Sequence, residues 1–185
     1  DAEVLFAALE AAAPSTTARL RLTPPWPCWS VREAFRRWAG WDPVTAFDEE
    51  RFYTDLVARV EPNLPRDRPV VLTDYPAQAA ALARLKPGQP ELAERWELYL
   101  GGVELANAFS ELTDACEQRR RFAECAARRR AAGRPVYPLD EAFLTALERG
   151  CPPAAGVALG VERLVMVLSG ATSLDDILPF RDEAH

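Results

Sequence analysis

The stretch that decides the fold is Ala93-Glu-Arg-Trp-Glu-Leu-Tyr-Leu100-Gly101-Gly102-Val103-Glu104-Leu-Ala-Asn107-Ala-Phe109-Ser-Glu111. Ala93 to Leu100 and Val103 to Phe109 are two runs of strand length that meet at a pair of glycines. Glycine adopts positive φ without a Cβ penalty, and a two-residue turn of that kind closes an antiparallel hairpin. Working downstream, Asp114 to Ala132 reads as a long helix stopped by Gly133 and Pro135. Leu139 to Glu148 is a shorter helix stopped by Gly150, and Val157 to Leu159 is a brief strand that passes into a helix from Glu162 to Leu168.

Upstream, Pro69 to Asp74 is a short apolar run bounded by turn formers, a buried strand. Tyr75 to Leu85 is alanine-rich and fits loop or helix. Ser30 with Glu33 forms a capping-box pattern that opens a helix through Trp38, which Gly40 stops. Asp48 caps a second helix carrying Phe52, Leu56, Val57 and Val60, ended by Pro62. Pro14 to Pro27 reads as a connection, and Asp1 to Ala13 as an amphipathic helix with Val4, Leu5 and Leu9 on one side. There is no internal repeat. A hairpin followed by long helices and a late strand predicts an α+β fold, an antiparallel sheet flanked by helices.

At 185 residues and 49% apolar composition the chain is long enough for one core, hence one domain or most of one. No run approaches the roughly twenty apolar residues of a membrane helix, and the N-terminus lacks the pattern of a signal peptide, so a cytoplasmic protein without a membrane partner is expected. A chain that opens at Asp1 and is at once helical reads as a piece of something longer. Cys28, Cys116, Cys125 and Cys151 form no CxxC pair, and the one histidine, His185, is the last residue. These features argue against a zinc site and against a histidine base or Ser-His-Asp triad. Catalysis is left to carboxylates, arginines, backbone amides or a metal. The net charge of -6 argues against a general nucleic-acid binder.

Two segments carry chemistry. Glu104 to Glu111 sets two carboxylates and an amide, Glu104, Asn107 and Glu111, among apolar strand residues. An unpaired buried carboxylate costs about several kcal/mol, so these groups must find partners, water or a cation. A strand with one wet face gives the same pattern. Strict alternation separates Glu104 from Asn107 and Glu111, so a shared site requires a bulge or bend between Glu104 and Asn107. The second segment is Gly156-Val-Ala-Leu-Gly160-Val-Glu162-Arg163-Leu-Val-Met166. Its glycines permit close backbone approach, and an arginine in the first helical turn can grip a phosphate. A Gly-rich strand packed on a core helix, with Arg163 solvated or paired to Glu162 or Asp175, accounts for it equally.

Taken in order, "RWELYLGGVELANAFSELTDACEQRRRF" and "GVALGVERLVMVLSGATSLDDILPF" resemble the late strands and motif 3 of the lysine group of class II aminoacyl-tRNA synthetases. The similarity runs from about Trp29 to Phe180, with motif 3 at 156–168. Within the group, "EPNLPRDRPVVL" and "DYPAQAAALARL" are more similar to the elongation factor P–(R)-β-lysine ligases. The synthetases usually read Ser-Pro-Leu where Ala80 to Leu82 stand here, and glycine where Ala158 stands. That alanine is associated with preference for (R)-β-lysine.

The resemblance implies a partial class II catalytic core using ATP and Mg²⁺. Glu104 would help hold Mg²⁺ and ATP, and Arg163, beside Gly160, would clamp the terminal phosphates. Asn107, Phe109, Gly156 and Ala158 would line the amino-acid pocket, and Glu111 would receive the substrate's side-chain ammonium. Ala108 in place of glycine and Glu162 in place of aspartate depart from the family pattern. Nothing in the chain resembles motif 1 or motif 2, so residues 1–185 are expected to be the C-terminal part of one catalytic domain and inactive alone.

The implied activity is activation of (R)-β-lysine or lysine and its transfer to elongation factor P, by a protein that is homodimeric at full length and does not use tRNA. Two other readings are a lysyl-tRNA synthetase core and a truncated non-catalytic paralogue that binds a partner. Arg119, Arg120, Arg121, Arg128, Arg129 and Arg130 form the one basic concentration, either a solvated face or a surface that steers an acidic partner.

Overall fold

A computed structural model describes residues 1–180 of the protein. His185 lies outside the described residues. In chain order the elements are α1 (Ala2–Ala12), a short α2 (Pro14–Thr17), β1 (Cys28–Ser30), α3 (Val31–Trp38), α4 (Glu49–Asp55), β2 (Val70–Pro76), β3 (Leu85–Lys86), β4 (Gln89–Leu100), β5 (Val103–Ser110), α5 (Ala115–Ala131), α6 (Glu141–Glu148), β6 (Ala155–Leu159) and α7 (Val161–Ser169). The sheet order is β1-β2-β4-β5-β6, with β3 pairing β4 off that path. Every pair is antiparallel except β1 with β2, which is parallel. The sheet with flanking helices is the expected architecture. The three-residue β1 was not expected, because so short a run carries no periodicity.

Local chemistry set the element ends as the sequence predicts. Ser30 and Glu33 make the full capping box of α3, and Asp48 and Asp114 accept backbone N–H groups at the starts of α4 and α5. Gly101 and Gly102 both take positive φ, 68° and 83°, at the β4–β5 turn. The helix from Asp48 does not continue regularly. It widens to a π turn over Leu56–Val60 and tightens to a 3₁₀ turn over Glu61–Asn63, where Pro62 cannot supply an N–H. Tyr75 to Leu85 is neither one helix nor one loop: β2 ends at Pro76, a 3₁₀ turn covers Ala77–Ala79, and Ala83 bridges Glu111.

Each face of the sheet has its own core. On one face α3, α4 and the π turn pack Phe35, Phe52, Leu56 and Val60 against Val70, Leu72 and Tyr75. Phe35 and Phe52 stack with ring centres 4.9 Å apart. On the other face α1 and α7 pack Phe6, Leu164 and Val167 against Leu98, Leu100, Leu105 and Ala106. The buried side of α1 differs from the one expected. Phe6 is fully buried against Trp26, with Leu9 beside it, whereas Val4 is 72% exposed and Leu5 is exposed as well. The larger ring wins the pocket, since burial contributes in proportion to apolar area.

Candidate active site

Glu104 and Asn107 reach one face of the sheet because β5 is bulged. Tyr99 pairs with Glu104 and Leu98 with Ala106, so Leu105 has no partner of its own across the hairpin. Leu105 and Ala106 both pack into the core under α1 and α7, and alternation then resumes. Asn107, Phe109 and Glu111 therefore follow Glu104 onto the face that carries Arg95, Glu97 and Tyr99. This is the bend a shared site requires. The bulge also anchors the second segment, because the N–H of Gly160 donates to the Leu105 carbonyl at 2.8 Å.

Register brings β6 alongside: Asn107 lies opposite Ala158, and Phe109 opposite Gly156. A Cβ on Gly156 would come within 3.1 Å of Glu111 Oε1, so the glycine leaves room for that carboxylate. Gly160 is the N-cap of α7, and Arg163 follows in its first turn. Arg163 Nη1 donates to the Glu104 carbonyl at 2.9 Å and lies 3.7 Å from Glu104 Oε2. It turns back over β5 to Glu104. All eight residues singled out in the sequence thus come from three adjoining pieces of structure: β5 with the residue after it, β6, and the start of α7.

Sequence reading missed the groups that hold this face in place. Arg95 donates to Glu97 Oε1 at 2.6 Å, to Asn107 Oδ1 at 3.2 Å and to the Ala79 carbonyl at 2.7 Å, with its guanidinium over the Tyr75 ring. Glu97 is only 5% exposed. Its Oε2 accepts from Tyr75 at 2.5 Å and Tyr99 at 2.6 Å, so a charge that would be costly alone is fully hydrogen-bonded. Burial, followed by the nearby Tyr99 and Glu97, pushes the Tyr75 hydroxyl well up. Burial and then Glu97 do the same for Tyr99, so both phenols stay donors. The signal was available: from Arg95 to Leu100 the two charged residues, Arg95 and Glu97, stand at alternate positions among Trp96, Leu98, Tyr99 and Leu100.

The free carboxylates differ in their surroundings. Glu104 is held above the usual carboxylate range, by burial first and then by Glu97, with Arg163 and Arg95 opposing. Glu61, whose Oε1 lies 3.3 Å from the Tyr99 hydroxyl, is raised too, chiefly by burial. Glu111 is half-buried, and among the described residues no lysine or arginine nitrogen lies within 4.0 Å of its carboxylate. Asn107 spends its side-chain oxygen on Arg95 and so keeps its amide N–H groups for a ligand.

Among the described residues no three carboxylate, histidine or cysteine groups converge as a protein-made metal cage. Magnesium needs less, since one or two carboxylates commonly hold it together with substrate phosphates. Glu104 fits that need, being an oxygen donor on the open face, whereas both oxygens of Glu97 are already engaged. A cavity of about 680 Å³ opens mainly on the opposite face, between α1 and Trp96, Leu98 and Ala108, away from these carboxylates. Ala108 is buried on that side between Trp96 and Val157, so its departure from glycine does not touch the site face.

A sheet face of this kind, with an arginine-led helix behind its last strand, is that of a class II synthetase. The chain belongs to the class II tRNA synthetase family of the D, K and N group, whose model matches residues 2–184. It is 39% identical over 181 residues to the lysine–tRNA ligase of Moorella thermoacetica, covering 88% of this chain and 37% of that protein. It is 49% identical over 121 residues to the elongation factor P–(R)-β-lysine ligase of Edwardsiella ictaluri, covering 65% of this chain and 37% of that protein. With the elongation factor P–(R)-β-lysine ligase of Proteus mirabilis it shares 47% identity over 174 residues, covering 82% and 53% respectively. The chain spans 37% to 53% of the length of these relatives.

The first half of the basic run of α5 is ion-paired in place. Arg119 pairs with Glu141 and Glu148, Arg120 with Glu117 and Glu124, and Arg121 with Glu117. Arg129 donates to the Pro135 carbonyl and lies over the Tyr137 ring. Only Arg128 and Arg130 show no side-chain partner among the described residues. The run is thus half an ion-paired face, at Arg119 to Arg121, and half a basic one, at Arg128 to Arg130. Among the described residues no helix is long and apolar enough to cross a membrane.

Proposed function

We propose that residues 1–185 are the C-terminal part of a class II catalytic domain that activates a lysine-type amino acid with ATP and transfers it to a lysine of elongation factor P. The observation that carries this is Glu111, a half-buried carboxylate with no cation partner among the described residues, on the same face as Asn107 and Glu104 and across the bulge from Arg163. Such a carboxylate binds an ammonium by charge-assisted hydrogen bonds and rejects neutral side chains that would leave it unpaired.

In this reading Glu111 takes the side-chain ammonium and Asn107 donates to the amino acid, with Phe109, Gly156 and Ala158 as walls. Gly160 lets the ATP phosphates approach the start of α7, where Arg163 grips them. Glu104 would hold Mg²⁺, which when bound supplies charge neutralisation to the phosphates. A carboxylate oxygen of the amino acid attacks the α-phosphorus, the bond to the β-phosphate oxygen breaks, and pyrophosphate leaves. The acceptor amine then attacks the adenylate carbonyl, AMP leaves, and the amine's proton passes to solvent. No protein nucleophile is needed.

Ala158 and the Ala80-Ala81-Leu82 segment favour (R)-β-lysine and a protein acceptor, as do the names of several relatives. The resemblance also supports a cytoplasmic homodimer at full length. A lysyl-tRNA ligase is the second reading, favoured by a relative that covers 88% of this chain. The deciding experiment offers the full-length gene product ATP and labelled (R)-β-lysine with either elongation factor P or tRNA. Label is expected on the factor, and label on tRNA with none on the factor overturns the proposal.

A further inference from the structure

Between β2 and β3 the chain crosses the end of β5 as a strap, Ala79 to Ala83, fastened from two sides. On the site side, Arg95 donates to the Ala79 carbonyl with the same guanidinium that holds Asn107 and Glu97. On the far side, Arg121 of α5 donates through Nη1 to the carbonyls of Ala81 at 3.0 Å and Ala83 at 2.8 Å. Its Nε donates to Glu117 Oε1 at 2.8 Å, which fixes the plane of the guanidinium. Between the two arginines Ala81 sits at φ 52°, a left-handed conformation that an alanine adopts only when its surroundings hold it there. The strap lies against the ammonium end of the site: Ala83 bridges Glu111, the Leu112 N–H donates to the Leu82 carbonyl at 3.0 Å, and the Arg84 N–H to the Ser110 carbonyl at 2.8 Å.

We propose that Arg121, outside the site and 10 residues beyond Glu111 in sequence, is a positioning residue for the amino-acid pocket, acting through the Ala79–Ala83 strap that seats Glu111. The link to substrate rests on the functional reading above; the link to the strap does not. A guanidinium can address Glu117 and two carbonyls at once with donors in one plane, whereas an ammonium is a single point and cannot span them. Arg121→Lys therefore keeps the charge and the pairing with Glu117 but releases the strap.

The test uses the full-length gene product, with Arg120→Lys as control, since Arg120 pairs with Glu117 and Glu124 on the same helix but touches no strap carbonyl. Hydrogen exchange is measured first. Arg121→Lys is expected to speed exchange at the Ala83, Arg84 and Leu112 amides by at least about tenfold, a cost of roughly 1.4 kcal/mol to the closed strap, with the Glu97 and Tyr99 amides unchanged. In ATP–pyrophosphate exchange it should raise KM for the lysine-type substrate at least about fivefold, with KM for ATP and kcat held within about twofold. Unaltered strap exchange, or equal change at strap and sheet, overturns the clamp. Faster strap exchange with equal effects on both KM values overturns its role in the pocket. A wild-type protein that activates no amino acid overturns the functional reading instead, and hydrogen exchange then decides the clamp by itself.

Discussion

Arg163 and Glu104 are joined across the bulge of β5: the Arg163 guanidinium donates to the Glu104 carbonyl at 2.9 Å and stands 3.7 Å from its carboxylate. An arginine so placed is oriented by backbone rather than by a mobile surface acid. Among the described residues its other donors have no hydrogen-bond partner, which leaves them for an anion.

Arg163→Ala should therefore reduce ATP–pyrophosphate exchange by the full-length gene product at least about tenfold, a loss of roughly 1.4 kcal/mol of transition-state stabilisation. Exchange at the wild-type rate would remove Arg163 from the site.

Glu111→Gln keeps shape and removes charge. The expected outcome is a rise in KM for the lysine-type amino acid far larger than any change in KM for ATP, because only the amino acid brings an ammonium to this position. Steady-state kinetics with each substrate varied in turn make the comparison, and matched changes in both would refute the assignment.

Leu105 supplies the bulge and is 2% exposed in the core beneath α1 and α7. Truncation to alanine should cost about 2–5 kcal/mol, measured by denaturant unfolding. The Glu104 side chain, on the other face, makes no such contribution to that core, and Glu104→Gln should leave stability near wild type while lowering exchange activity.

Glu61 gives a pH signature. Its pKa is raised in the fold, chiefly by burial and then, against the opposing hydrogen bond from Tyr99, by Glu97 and Glu104. The folded state thus binds its proton more tightly than the unfolded chain, so Glu61's contribution is complete below the unfolded value and is lost as pH rises through the folded one. Glu61→Gln cannot ionise and keeps an acceptor oxygen for the Tyr99 hydroxyl. Its melting temperature should match wild type near about pH 4 and exceed it near about pH 8. A variant less stable than wild type at the higher pH would show that ionised Glu61 stabilises the fold.

Element type was largely legible because it is decided locally. The glycine pair at 101 and 102 forces a hairpin, and Ser30 with Glu33 and Asp114 cap their helices through side chains a few residues away. The polar positions Glu104, Asn107 and Glu111 stood out because an apolar strand tolerates such groups only where something meets them. The placement of the notable glycines of β6 and of Arg163 also followed, though only as two segments whose meeting the sequence alone leaves open.

What tertiary structure alone decided is which groups meet. The bulge at Leu105 arises from pairing with β4 and from burial of two successive side chains under α1 and α7, neither of which β5 contains in itself. The same is true of Phe6, which outcompetes Val4 and Leu5 because Trp26 shapes its pocket, and of Arg119 and Arg121, whose long-range partners lie on α6 and on the strap. Arg95 and Glu97 gained their meaning only when Tyr75, Tyr99, Asn107 and Ala79 closed around them. Short-range steric and hydrogen-bonding preferences fix φ, ψ and caps within a few residues, and these the sequence by itself determined. Register, burial and charge pairing depend on distances between segments far apart in the chain, which are set only when the sheet and its two cores form together.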